Sequence, residues 1–103
     1  MMLAFFTIAP TGTGGDHLSE AVAGILDIVD KSGLEYRFGP MGTTVEGEWD
    51  EVMDLIGRCH ARMREDNLRI STLIKIDDHK GRSGRLSGKM ESVEKTLGRE
   101  LKK

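Results

Sequence analysis

The chain has 103 residues, a length typical of one domain, and its 17 acidic and 15 basic side chains leave a formal net charge of −2. This balance gives no electrostatic basis for binding nucleic acid or an anionic membrane, so neither is expected as a partner. Cys59 is the only cysteine, which excludes an intrachain disulfide and fits a reducing, cytoplasmic location.

The first half of the chain predicts a strand, a helix and two further strands. Residues 3–9 are a short apolar run that stops at a proline, as a strand does. Apolar residues then recur at helical spacing up to Val29, after a start that Asp16 or Ser19 can cap. Two short strands, residues 35–38 and 43–48, flank a turn with the sequence GPMG.

The second half predicts a helix, a strand and a last helix. Asp50 and Glu51 favour the start of the first helix because acidic side chains stabilise the positive end of a helix dipole. Residues 69–76 alternate as a strand, with the isoleucines on one face. After a polar loop, apolar residues at helical spacing from Leu86 to Leu101 indicate an amphipathic C-terminal helix.

The resulting order, β-α-β-β-α-β-α, begins with the six elements of the ferredoxin-like split βαβ pattern. Right-handed crossovers then predict an α+β sandwich with a four-stranded antiparallel sheet in the order 4-1-3-2 and two helices on one face. The C-terminal helix is additional. We expect the whole chain, residues 1–103, to form this single domain.

Two Pro-x-Gly-Thr segments, residues 10–13 and 40–43, follow the first two strands. Because these strands run in the same direction, we expect both segments at one end of the sheet, together with residues 67–69. They are either ordinary turns or two walls of a ligand site that Thr11, Thr13 and Thr43 approach. The first segment lacks the lysine of a nucleotide-binding P-loop and does not fit G-x-G-x-x-G.

Three stretches together resemble one known family: SGLEYRFGPMGTTVEGEWDEVMDLI (32–56), RISTLIKIDD (69–78) and KMESVEKTLG (89–98). They are similar to the thiamine-binding, MTH1187/YkoF-like family, also catalogued as an uncharacterised protein family. The resemblance implies a ferredoxin-like subunit that assembles through its sheet into dimers or tetramers. It also implies a ligand such as thiamine or its hydroxymethylpyrimidine moiety. His79 stands where the family ordinarily carries arginine.

Strand alternation indicates which polar side chains could meet such a ligand. If Val45 faces the helices, Thr44 and Glu46 share the opposite, open face with Lys75. Glu46 could accept from an aminopyrimidine or balance a thiazolium charge; the alternative is an ion pair between Glu46 and Lys75. The candidate ligand-binding residues are Glu46, Lys75, Thr43, Thr44 and Thr7.

No sequence pattern indicates a metal site, a cofactor site or a catalytic site. Neither a C-x-x-C nor an H-x-x-x-H spacing is present, so no metal site or cofactor is expected. No histidine is placed by sequence to activate Ser71 or Thr72, and we expect no catalytic residues. The sequence therefore favours a non-enzymatic small-molecule binding protein that forms a homo-oligomer, in particular a tetramer. The alternative is a structural or regulatory homo-oligomer without a small-molecule ligand.

Overall fold

The computed structural model describes residues 1–11 and 18–102, apart from the side chains of Leu18, Ser19 and Lys89. Thr13, Asp16 and the capping side chain of Ser19 therefore lie outside the described part of the chain. The elements follow the predicted order: β1 (Met2–Pro10), α1 (Leu18–Lys31), β2 (Glu35–Gly39), β3 (Gly42–Gly47), α2 (Trp49–Asp66), β4 (Ile70–Asp78) and α3 (Arg85–Leu97).

The four strands form one antiparallel sheet in the order β2-β3-β1-β4. This is the predicted order read from the other edge, so the ferredoxin-like α+β fold is confirmed. β1 lies in the centre, where Phe5 pairs with Thr44 of β3 on one side and with Lys75 of β4 on the other. The edge strands are β2 and β4.

α1 and α2 cover one face of the sheet, which we call the helix face. Alternate residues of β1 point into it and are buried, as is Val45 of β3. The core consists of apolar side chains from β1, α1, β3 and α2: Met2, Ala4, Phe6, Ile8, Ile25, Val29, Val45, Val52, Leu55, Ile56, Cys59 and Met63. Ile74 and Ile76 of the edge strand β4 share this face but stay partly exposed.

α2 begins as the acidic residues predict. Glu48 and Glu51 form a capping box, in which the Glu48 backbone N–H donates to Oε1 of Glu51 over 3.1 Å. Each carboxylate thus satisfies a backbone N–H that the first helical turn leaves without an intrahelical partner. The cap fixes the point where the chain leaves β3 and crosses back over the helix face.

α3 packs against the other side of the sheet, which we call the open face. Its first residue, Arg85, donates its backbone N–H to Oε2 of Glu46 on β3 over 2.8 Å. The predicted extension of this helix to Leu101 is wrong, since α3 ends at Leu97. Gly98 adopts the left-handed conformation, φ 73°, and its N–H donates to Glu94, which caps the helix.

Candidate functional site

The strand register sorts the open face into rows that cross the sheet. Glu35, Glu46, Leu3 and Asp77 form one row, running from β2 to β4. The next row consists of Arg37, Thr44, Phe5 and Lys75. Directly paired residues of neighbouring strands point to the same side, so each row presents its side chains together. The predicted placement of Thr44, Glu46 and Lys75 on one face is therefore confirmed.

Glu46 is only 5% exposed because the first turn of α3 lies over it. A helix N-terminus carries partial positive charge, which stabilises the carboxylate in this position. The Arg85 side chain extends the contact, with Nη2 2.6 Å from Oδ2 of Asp77 in the same row. Glu46 and Asp77 both contact Arg85, the first residue of α3, one through a hydrogen bond and the other through an ion pair.

The ion pair considered between Glu46 and Lys75 is not formed. Glu46 pairs with Leu3, whereas Lys75 pairs with Phe5 in the neighbouring row, two strands away from Glu46. Within the described residues, Lys75 enters no ion pair, and its side chain is exposed. An unpaired ammonium at one edge of the open face is available to a ligand or to another chain.

Two of the candidate threonines also lie on the open face. Thr44 is half-buried beside Phe5, and Thr7 is half-buried one row further from α3. The space between them is narrow, since a Cβ at Gly42 would lie within 3 Å of both Phe5 and Thr7. Glu46, Thr44, Thr7 and Lys75 thus share a surface centred on the Phe5 ring.

Thr43 is not brought to that surface. It pairs with Phe6, points to the helix face and is 6% exposed. There it lines a cavity of about 230 Å³ at the end of the sheet, which we call the end cavity. The walls of the end cavity are residues 6–9 of β1, residues 38–43 at the β2–β3 turn, and Val22, Ile25 and Leu26 of α1.

The end cavity lies at the end of the sheet where the two Pro-x-Gly-Thr segments were expected to meet. β1 and β2 both run antiparallel to β3, so Pro10 and the β2–β3 turn share this end. The Thr11 N–H donates to the carbonyl of Arg69 over 3.0 Å, which brings the residues before β4 to it as well. Residues 12 and 13 of the first segment lie outside the described part.

Sequence reasoning missed two contacts. The hydrogen bond between Arg85 and Glu46 was not predicted, because its donor is the Arg85 backbone N–H, which no side-chain pattern marks. Nδ1 of His60 on α2 lies 2.7 Å from Oγ1 of Thr72 on β4, a pairing that the sequence did not indicate. In the described part of the chain no third side chain orients the other nitrogen of His60, so the pair lacks the arrangement of a catalytic triad.

Metal and thiol chemistry find little support in the described residues. Among them, no group of three or more His, Cys, Asp or Glu side chains could hold a metal ion. Burial raises the pKa of the Cys59 thiol to about 11, so little reactive thiolate exists at neutral pH. In addition, no described helix combines the length and the apolar character needed to cross a membrane.

Comparison with known proteins assigns the family. The family model described as "Thiamine-binding protein" matches residues 4–94. The chain belongs to this family. A UPF0045 protein of Methanothermobacter thermautotrophicus is 33% identical over 99 residues, covering 94% of this chain and 100% of that protein. The UPF0045 protein YqgV of Bacillus subtilis is 33% identical over 102 residues, covering 94% and 98%.

Solved structures share the fold. A hypothetical protein of Methanocaldococcus jannaschii superimposes with a TM-score of 0.80 at 26% identity, over 89% of this chain and 94% of that one. A Thermotoga maritima protein, for which a role in thiamine biosynthesis or salvage has been suggested, superimposes with a TM-score of 0.79 at 23% identity. That likeness covers 89% of this chain and 97% of the other, and it concerns the fold alone.

Proposed function

We propose that this chain is a non-enzymatic binding protein for thiamine or its hydroxymethylpyrimidine moiety, with the ligand held on the open face of the sheet and Glu46 as its polar anchor. The observation that carries the proposal is the burial of the Glu46 carboxylate on a face that α3 covers only in part. A buried carboxylate is costly unless donors surround it. Its one donor among the described residues is the Arg85 N–H.

The carboxylate can accept further hydrogen bonds. Two carboxylate oxygens offer about four acceptor positions, of which the Arg85 N–H occupies one. The exocyclic amine of an aminopyrimidine supplies the donors that Glu46 lacks, and a thiazolium ring supplies a compensating charge. Thr44, two residues along the same strand and about 7 Å away, can donate to or accept from the same ring.

The surroundings suit a ring with a polar substituent. Phe5 lies between Thr44 and Lys75 in the next row and offers an aromatic surface at the centre of the face. Thr7 borders this surface on the side away from α3, and Lys75 stands at its outer edge. The family description supports a thiamine-related ligand.

A second subunit would complete the site, and we propose a homo-oligomer, in particular a tetramer. Leu73, which lies on the open face of the edge strand β4, is 56% exposed, and Ile74 and Ile76, which lie on the helix face of the same strand, are also exposed. Apolar surface of this kind favours association. The same observation supports the second candidate function, a structural or regulatory oligomer whose open face is only an interface.

Titration calorimetry of matched variants separates the two functions. Glu46→Gln keeps an oxygen that can accept from the Arg85 N–H, so α3 stays in place while the charge is removed. Losing a charge-assisted hydrogen bond of about 1.5–3 kcal/mol should weaken thiamine or hydroxymethylpyrimidine binding roughly ten- to a hundredfold. Glu35→Gln is the control, because Glu35 pairs with Glu46 but is exposed on the edge strand.

The oligomeric state of each variant is measured in parallel by light scattering. We expect Glu46→Gln to remain assembled and Glu35→Gln to bind as the wild type does. If Glu46→Gln binds the ligand normally but dissociates, Glu46 is an interface residue and the second candidate function is favoured.

A further inference from the structure

The strand β2 stands at one edge of the sheet, beside a groove. It pairs with β3 on its inner side and with no described strand on its outer side. The groove has a volume of about 520 Å³ and is lined by residues 34–38 together with Leu86 and Ser87 of α3. An edge strand presents unpaired backbone N–H and C=O groups, so a strand of another chain can pair with it.

Two side chains of opposite charge stand on the open-face side of β2 without a partner. Glu35 and Arg37 are two residues apart and exposed, and among the described residues neither side chain forms an ion pair or a hydrogen bond. On the helix face of the same strand, Phe38 is 51% exposed, and Leu34, just before the strand, is half-buried. The outer edge of β2 therefore offers two unpaired charges and an apolar side chain to a partner.

This arrangement is complementary to itself. When two copies pair as antiparallel strands about a two-fold axis at Tyr36, Glu35 of each copy lies opposite Arg37 of the other. The same register places Leu34 of each copy opposite Phe38 of the other. Directly opposed residues share one face and have Cβ atoms about 4.5–5.5 Å apart, so two ion pairs and two apolar pairs form together.

The neighbouring registers are unfavourable. An axis at Arg37 or at Glu35 places like charges directly opposite each other, which is destabilising. A shift of one residue sets helix-face side chains of one copy opposite open-face side chains of the other, which the burial of one face disfavours. A peptide of another protein would have to carry the same alternation of charge, whereas a second copy carries it by symmetry.

We propose that β2 pairs with β2 of a second copy in this register and joins two four-stranded sheets into one sheet of eight strands. The contact lies at the opposite edge of the sheet from the exposed apolar residues of β4. A tetramer built as a dimer of dimers needs two different interfaces, and the edge formed by β2 supplies one of them. This inference goes beyond the proposed ligand binding and does not depend on it.

Charge reversal, measured by light scattering, tests the pairing. Arg37→Glu and Glu35→Arg each place like charges opposite each other, so we expect each single variant to halve the mass of the assembly. The double variant restores both pairs of opposite charge and should restore the wild-type mass. Arg64→Glu, on the exposed surface of α2, is the control with the same change in net charge as Arg37→Glu, and it should keep the wild-type mass.

Cysteine cross-linking tests the register. Opposed Cα atoms of antiparallel strands lie about 4.5 or 5.5 Å apart, which is within the range of a disulfide. Tyr36→Cys should therefore give a disulfide-linked dimer under mild oxidation. Phe38→Cys is the matched control, because residue 38 of one copy lies four residues, or about 13 Å, along the strand from residue 38 of the other. The native Cys59 is buried.

Circular dichroism shows that each variant is folded. The proposal is overturned if the wild type is a monomer, if either single charge reversal keeps the wild-type mass, or if the double variant does not restore it. It is also overturned if Tyr36→Cys cross-links no more than Phe38→Cys. Thiamine titration of the wild type judges the proposed function separately, so either proposal can fail without the other.

Discussion

Gly42, the glycine of the second Pro-x-Gly-Thr segment, should be intolerant of even one added methyl group. A Cβ at this position would lie 2.5 and 2.6 Å from Cζ and Cε2 of Phe5, and 2.8 Å from Cγ2 of Thr7. The Phe5 ring can shift its far end, but the methyl of Thr7 sits next to the backbone of the central strand and has little freedom. Forcing an extra carbon into such a site typically costs about 1–3 kcal/mol, and we expect Gly42→Ala to fall in the upper half of that range.

Urea unfolding monitored by circular dichroism measures this effect. Gly57→Ala is the matched control, because Gly57 is exposed on α2 with nothing near its added Cβ, and it should stabilise the protein by roughly 0.5–1 kcal/mol. Phe5→Leu combined with Gly42→Ala should recover part of the loss, since the two residues share one contact. If Gly42→Ala unfolds within about 0.5 kcal/mol of the wild type, the packing of Phe5 over the β2–β3 turn is wrong.

Three further predictions test the rest of the structure. Arg85→Ala removes the ion pair with Asp77 and should lower the free energy of unfolding by about 1 kcal/mol. It should also speed amide hydrogen exchange in the first turn of α3. Unchanged exchange rates would contradict the docking of α3 on the sheet. The pKa of Cys59 is raised to about 11 in the folded protein, so the unfolded thiol ionises first as pH rises above about 9. The stability difference between wild type and Cys59→Ala should therefore narrow between pH 9 and 11 in urea unfolding, and a constant difference would refute burial of the thiol. Light scattering should show a homo-oligomer, in particular a tetramer, at micromolar concentration, and a monomer would count against the proposed assembly.

Local patterns predicted most of the fold because each element carries its own periodicity. The alternation of β4 placed its isoleucines on the helix face, and the register confirms this. The same alternation on β3 placed Thr44 and Glu46 on the open face, and it also required Thr43 to face the helices. The sequence prediction nevertheless places Thr43 with the open-face residues, because Thr43 lies next to the β2–β3 turn. Strand alternation was the better guide to its direction.

The contacts of α3 could not be predicted from local pattern. The hydrogen bond between Arg85 and Glu46 joins residues 39 apart in the chain, and amphipathicity alone does not say which surface a helix covers. The end of α3 was overestimated because Leu101 continues the apolar spacing, whereas Gly98 ends the helix through its backbone conformation. The end cavity likewise lies between α1 and the β2–β3 turn. The spacing of apolar residues along the sequence does not predict how far apart these two elements pack.

Titration of the wild-type protein with thiamine, followed by thermal unfolding, tests the central claim most directly. The proposal predicts saturable heat with one open-face site per chain. It also predicts that thiamine at 100 times its dissociation constant raises the free energy of unfolding by about 2.7 kcal/mol. If millimolar thiamine produces no saturable heat and no shift in the unfolding temperature, the proposal that this chain binds thiamine is contradicted.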